Sequence, residues 1–151
     1  MRIRQVLINQ VRDQLEPLAK NHLKETDRRL PEFSQVQINF DAYAAAEQQG
    51  MYALFVAEEE GQIRGYLSLY IVETPHIVGY RQAVADALFV DERARKGSVA
   101  QRLIKRAEQY AKDVACDYMT LCFKADNPHK KFCNSIGYQE DDIMYSKSLD
   151  V

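Results

Sequence analysis

The sequence predicts an α/β fold: one domain built on a mixed sheet with helices on both of its faces. Three observations carry this reading. Apolar residues switch between period-two runs and helical three-to-four spacing, and no internal repeat, low-complexity tract or linker interrupts the 151 residues. Two strand-like runs, 51–58 and 63–72, are joined by Glu59-Glu60-Gly61-Gln62, a short Gly-containing connection that suits an antiparallel hairpin. A strand over 83–90, a helix over 98–114 and a strand over 118–123 make a β-α-β unit, whose strands must be parallel and joined by a right-handed crossover. The length fits a single domain over residues 1–151.

The elements follow in order. Residues 1–6 read as a short strand, after which Ile8, Val11, Leu15 and Leu18 recur at helical spacing to about residue 24, with a kink expected at Pro17. Asp41 is expected to cap a helix over 42–49, which Gly50 ends. The hairpin comes next, then a loop with Pro75 and Gly79, then the strand over 83–90. Val99, Leu103, Ala107, Ala111 and Val114 line one face of a long helix, while Arg102, Lys105, Arg106, Gln109 and Lys112 occupy the other. A helix starts near Pro128 and stops before Gly137, and a last strand is expected over 143–149.

Composition removes several function classes. Twenty Lys+Arg against 22 Asp+Glu give a net charge of −2, which argues against a dedicated nucleic-acid or acidic-membrane binder. The longest apolar stretch, Met51 to Ala57, falls far short of the ~20 residues of a membrane helix, and charges break the N-terminus, so neither a span nor an export signal is expected. Cys116, Cys122 and Cys133 are odd in number and lack CxxC spacing; free thiols in a cytoplasmic protein are expected. With His22, His76 and His129 scattered as well, no metal site is expected. Glu58-Glu59-Glu60 reads as a solvated hairpin tip.

The informative stretch runs from Val90 to Leu103, from the end of a strand through a small-residue loop into the long helix. Helix N-termini expose unpaired N–H groups and carry about half a positive charge, so this junction can hold an anion. Arg93, Arg95 and Lys96 add full charges beside it. Alternatively, Gly97 only makes a tight turn and the basic residues are solvated surface. No GxxxxGK[ST] or GxGxxG is present, which weighs against a mononucleotide or dinucleotide fold.

Here the sequence resembles the GNAT superfamily of acetyl-CoA-dependent N-acetyltransferases. The family's R/Q-x-x-G-x-G/A signature looks like Arg95-Lys96-Gly97-Ser98-Val99-Ala100, with a strand-ending Val90 at the expected offset. Ser98 stands where the first glycine is expected, and we read it as a helix cap whose hydroxyl can also bond a phosphate oxygen. A second signature, F-Y-x-x-x-G-F, looks like Phe132-Cys133-Asn134-Ser135-Ile136-Gly137-Tyr138. The similarity spans residues 51–149, and residues 1–50 by element order.

The resemblance implies a GNAT-like sheet, mostly antiparallel, with a central parallel pair of strands splayed apart to receive the pantetheine arm of acetyl-CoA. It assigns the main chain of Leu88, Phe89 and Val90 to that arm, the loop Arg95, Lys96, Gly97, Ser98, Val99 and Ala100 to the pyrophosphate, and Asn127 to pantetheine. It implies direct attack of an amine on the thioester, in a ternary complex of acetyl-CoA and a primary amine acceptor. Such chemistry wants a base and an acid. Asp86, a lone acid in an apolar run, takes the position of the family's base; the alternative is an acid bonded to a neighbouring loop. Cys133 stands where many members keep a tyrosine acid, with Tyr138 and Tyr145 nearby; packing as a small hydrophobe is the alternative. Tyr43, Tyr52, Tyr66, Tyr70 and Tyr80 can line the acceptor pocket or simply pack. A catalytically weak acyl-CoA-binding or sensing module is the rival reading. A homodimer would fit the family, and nothing in the sequence itself argues for one.

Overall fold

A computed structural model describes residues 1–26, 36–95 and 97–149. Its elements are β1 (Arg2–Val6), α1 (Ile8–Thr26), α2 (Phe40–Gln48), β2 (Tyr52–Glu59), β3 (Gln62–Glu73), β4 (Arg81–Val90), α3 (Val99–Asp113), β5 (Tyr118–Leu121) and α4 (Lys130–Ser135). The five strands lie in the order β1-β2-β3-β4-β5; every neighbouring pair is antiparallel except β4 and β5, which are parallel. This is the mixed sheet that the β-α-β unit and the hairpin predict. The hairpin turn puts Glu60 and Gly61 at φ 50° and 75°, the two left-handed residues of a type I′ reversal.

Each face of the sheet carries its own core. On one, α3 sets Val99, Leu103, Ile104, Ala107 and Ala111 against Phe55, Leu67, Leu69, Ala83 and Ala85. On the other, α1 lays Ile8, Val11, Leu15 and Leu18 over Leu54, Val56, Tyr66 and Phe89, with Phe40 of α2 alongside. Alternation along β2 and β3 feeds both cores, so these strands are buried almost throughout, as a sheet covered on two faces requires. α1 runs through Pro17 without a break in its assignment.

Three local expectations are corrected. The cap of α2 is Asn39, whose side chain accepts from the N–H of Ala42 at 3.0 Å, rather than Asp41. Asp41 sits two residues on, in the first turn, and binds Arg12 at 3.3 Å. β5 stops at Leu121, short of residue 123. The strand expected over 143–149 is absent: residues 138–149 belong to no helix, strand or turn. A strand needs a neighbour for its backbone groups, and alternation alone does not supply one.

Candidate active site

β4 and β5 pair only from Gln82↔Tyr118 to Ala85↔Leu121, and the N–H of Cys122 makes a last bond to the carbonyl of Ala85 at 3.2 Å. Beyond that rung the strands part. Asp86 to Val90 have no β5 partner, so this edge of β4, including Leu88, Phe89 and Val90, is open to an extended ligand that can supply amide groups.

The opening leads directly into the loop before α3. After Val90, the N–H of Asp91 bonds the carbonyl of Arg64 at 2.7 Å, a short 3-10 turn covers Glu92–Ala94, and α3 begins at Val99. Gly97 carries φ 102°, a left-handed conformation that side chains resist, so the glycine the loop needs sits there. Ser98, at φ −103°, is unstrained; it holds the cap position, although its hydroxyl bonds no helix N–H, correcting the expected side-chain cap. The first turn of α3 has no acid, so its N–H groups and dipole are left for an anion. Val99 is buried, Ala100 half-buried, and Gly97 and Ser98 exposed. Lys96 lies outside the described residues.

Arg95 fastens this loop. Its Nε donates to the carbonyl of Val90 at 2.8 Å, its guanidinium meets Glu25 of α1 at 2.7 Å, and its Cζ lies 5.4 Å from the Phe89 ring centre. The side chain thus ties the loop to β4 and α1, while the loop's amides remain for a ligand.

Asp86 owes its position to a β-bulge. Opposite Ser68 and Leu69 the β3–β4 register shifts, pairing Ala87 and Ala85 and leaving Asp86 as the extra residue. Burial among the surrounding side chains raises its carboxyl above the ordinary 3.8, against the opposing pull of the Ser68 hydroxyl and the N–H groups of Asp86 and Ala87. Ser68, the buried polar side chain of the core, lies 2.7 Å from the hydroxyl of buried Tyr52. The Ser68 hydroxyl donates to the Tyr52 oxygen, and Ser68 also favours the charged form of Asp86. Ser68 thus links buried Tyr52 with Asp86, which is itself exposed.

Tyrosines wall the same face. Tyr52 packs on Tyr43 at 4.9 Å and on Tyr70 at 5.3 Å. Tyr43 and Tyr70 border a cleft of about 360 Å³ with Leu23, Ile38, Ala42 and Ala46. Burial raises the pKa of Tyr43 and Tyr70, and the Asp86 charge adds to it, so the cleft and the carboxylate share one electrostatic neighbourhood.

Sequence reasoning found His22 only as one of three scattered histidines. Its Nδ1 lies 2.7 Å from the Tyr66 hydroxyl and its ring stacks on Phe89 at 5.1 Å. Burial lowers its pKa, Lys124 and Arg95 lower it further, and Glu25 opposes them, so the ring is neutral at pH 7. Ser68 was missed as well; the available signal was a lone hydroxyl inside the apolar run Tyr66-Leu67-Ser68-Leu69-Tyr70.

Cys133 is half-buried on α4, and burial raises its thiol pKa, keeping it protonated at neutral pH. Tyr138 turns the other way: its hydroxyl donates to Glu108 of α3 at 2.8 Å, and burial and that carboxylate push its pKa up. Asn127 is exposed in a turn, its N–H bonded to the carbonyl of Lys124 at 2.9 Å. Tyr145 is exposed in the segment that follows α4. Among the described residues no group of three His, Cys, Asp or Glu side chains can hold a metal.

Comparison with known proteins agrees with this geometry. A family model described as the Acetyltransferase (GNAT) family matches residues 14–138. No curated protein sequence matches the chain. Among solved structures, glucosamine-6-phosphate N-acetyltransferase from Arabidopsis thaliana is similar in fold, with TM-score 0.75, 21% identity, and 99% and 98% of the two chains covered. An aminoglycoside acetyltransferase from an uncultured soil metagenomic sample, in complex with sisomicin, has TM-score 0.75 at 18% identity, covering 99% and 96%. An aminoglycoside N-acetyltransferase in complex with CoA has TM-score 0.71 at 19% identity, covering 98% and 100%. With the family model spanning most of the sequence and the splayed strands, glycine loop and helix N-terminus in place, the chain belongs to the GNAT family of acetyl-CoA-dependent N-acetyltransferases.

Proposed function

We propose that the protein moves an acetyl group from acetyl-CoA to a primary amine, of a small molecule or a protein, by direct attack in a ternary complex. The observation that carries this reading is the continuous path from the unpaired β4 edge, Asp86 to Val90, into the Gly97 turn at the N-terminus of α3. The pantetheine amides bond the main chain of Leu88, Phe89 and Val90, with Asn127 as a further partner. The pyrophosphate takes the N–H groups of the loop from Arg95 to Ala100, Lys96 included.

Asp86 is the base. Its raised pKa suits it to accept the proton that the neutral amine loses as its nitrogen attacks the thioester carbonyl. The tetrahedral adduct then expels CoA thiolate. Cys133 is the acid for that sulfur, its thiol being protonated at neutral pH; Tyr138, held by Glu108, is second in line. The acceptor enters over the Tyr43–Tyr70 wall. The free thiols fit a cytoplasmic setting.

A second reading, an acyl-CoA-binding module with little catalysis, draws on one observation: Cys133 replaces the tyrosine acid and Tyr138 is turned to α3. Two measurements separate the readings. Thermal unfolding with acetyl-CoA at about 100 times Kd should show some 2.7 kcal/mol of added stability, a Tm rise of about 5–10 °C for a domain of this size. CoA release is then followed over a panel of amines. A shift with turnover supports the transferase, a shift without turnover supports the module, and no shift at millimolar ligand defeats both.

A further inference from the structure

The groups that can select an acceptor gather on the side of the sheet that α1 and α2 cover. Tyr66, Ser68 and Tyr70 of β3 alternate onto that side, so Tyr70 follows Ser68 by two residues, roughly 7 Å along the strand. Ser68 stands beside the Asp86 bulge. Tyr43, Tyr52 and Tyr70 form a ring cluster there, with centres 4.9, 5.3 and 6.3 Å apart. The cleft of about 360 Å³ continues from this cluster between α1 and α2, at the small end of the roughly 300–1,000 Å³ of ligand pockets.

The described residues that line the cleft are uncharged: aliphatic side chains, the rings of Tyr43 and Tyr70, and the amides of Gln37 and Asn39. Asn39 commits its side-chain oxygen to the N–H of Ala42. The acids of α2 are held elsewhere, Asp41 by Arg12 at 3.3 Å and Glu47 by the N–H of Ile8 at 3.0 Å. The carboxylate whose charge acts on both Tyr43 and Tyr70 is Asp86. A polycation would lose water from several ammonium groups with one carboxylate to meet them, and a phosphorylated amine would bring its anion to a lining that offers no cation among the described residues. One basic nitrogen on an aromatic body meets neither cost. The carboxylate takes the nitrogen, and the tyrosines take a ring in the offset or edge-on contacts that aromatic pairs prefer.

We propose that the acceptor is an arylalkylamine, a primary amine whose nitrogen lies beside Asp86 and whose ring lies against Tyr43 and Tyr70 in the cleft between α1 and α2. The spacing along β3 fits, because the two-residue step from Ser68 to Tyr70 matches a short alkyl chain between nitrogen and ring. Leu23, Ala42 and Ala46 then receive the far edge of the ring on aliphatic surface. This inference rests on the transferase reading and narrows its acceptor to one chemical class, with Tyr43 and Tyr70 as the residues that set it.

Mass spectrometry of the acetylated product, at saturating acetyl-CoA, compares 2-phenylethylamine with spermidine, kanamycin, O-phosphoethanolamine and a lysine peptide. The kcat/KM for 2-phenylethylamine should exceed each of the others by about tenfold or more. Tyr43→Ala should raise its KM by about tenfold while the acetyl-CoA thermal shift persists, and Tyr43→Phe, which keeps the ring, should restore KM. Ala42→Lys, at an exposed position of α2, puts a cation at the cleft and should raise KM as well. In the unaltered protein with CoA bound, NOEs should join the phenyl protons to Tyr43 and to the Ala46 methyl. A polycation, a phosphorylated amine or a peptide turned over equally well or better overturns the proposed class while the transferase stands. So do phenyl NOEs that fall outside the cleft, or a Tyr43→Ala variant with unchanged KM. Acetyl-CoA binding without turnover of any amine defeats the transferase reading, and this inference with it. Because the NOE measurement uses the unaltered chain, misfolding of a variant cannot mask the answer.

Discussion

Gly65→Ala tests the link between packing at β4 and cofactor binding. Gly65 of β3 pairs with Val90, and a Cβ built there would sit 2.9 Å from the Phe89 carbonyl oxygen and 3.3 Å from Val90 Cα. Both are backbone atoms, so no side chain can rotate away; β4 itself must move by a few tenths of an ångström. Overpacking of this kind costs about 1–3 kcal/mol, which for 151 residues lowers Tm by about 2–12 °C. The residues displaced are those whose main chain is proposed to meet pantetheine, so acetyl-CoA affinity should fall with Tm, by roughly tenfold for each 1.4 kcal/mol lost from binding. Differential scanning fluorimetry and calorimetric titration of acetyl-CoA read the two effects. A variant within 1 °C of the parent, binding acetyl-CoA equally well, would refute the claim that the Phe89–Val90 backbone is closely held and forms the cofactor edge.

The remaining predictions concern the site. Asp86→Asn should lower turnover by about 10²–10⁴ without weakening acetyl-CoA binding. Because the folded protein holds the Asp86 proton more tightly than the unfolded chain, stability falls as pH rises from the ordinary 3.8 through the raised value; removing the charge should therefore leave Tm at pH 7 equal or higher, and the gain should vanish in acid. Ser68→Ala removes a group that favours the ionised carboxylate, so the acid limb of the pH–rate profile should move to higher pH; with Tyr52 left unpaired, stability should drop by about 1–3 kcal/mol in chemical denaturation. Arg95→Ala should cost under about 1 kcal/mol of stability, since the Glu25 pair is nearly half exposed, yet weaken acetyl-CoA tenfold or more by freeing the loop, as titration would record. Cys133→Ala should keep the acetyl-CoA thermal shift while lowering turnover; equal turnover would pass the proton to another group.

The sequence by itself determined the element order from β1 through α4, the antiparallel hairpin and the parallel β4–β5 pair, because these follow from local periodicity, turn chemistry and the handedness of a crossover. It also marked the loop before α3, since a glycine between a strand and a helix leaves a recognisable local pattern; Gly97 does take the positive φ, and Ser98 accordingly carries no strain. Tertiary structure alone decided where β4 and β5 part, because a splay depends on two strands 36 residues apart at their register. It alone set the bulge that turns out Asp86, the Ser68–Tyr52 chain behind it, and the contact of His22 with Tyr66 across 44 residues. The tail shows the same division. Alternation at 143–149 reads as a strand in the sequence, but a strand is completed by a neighbour in the sheet, and periodicity alone does not supply one.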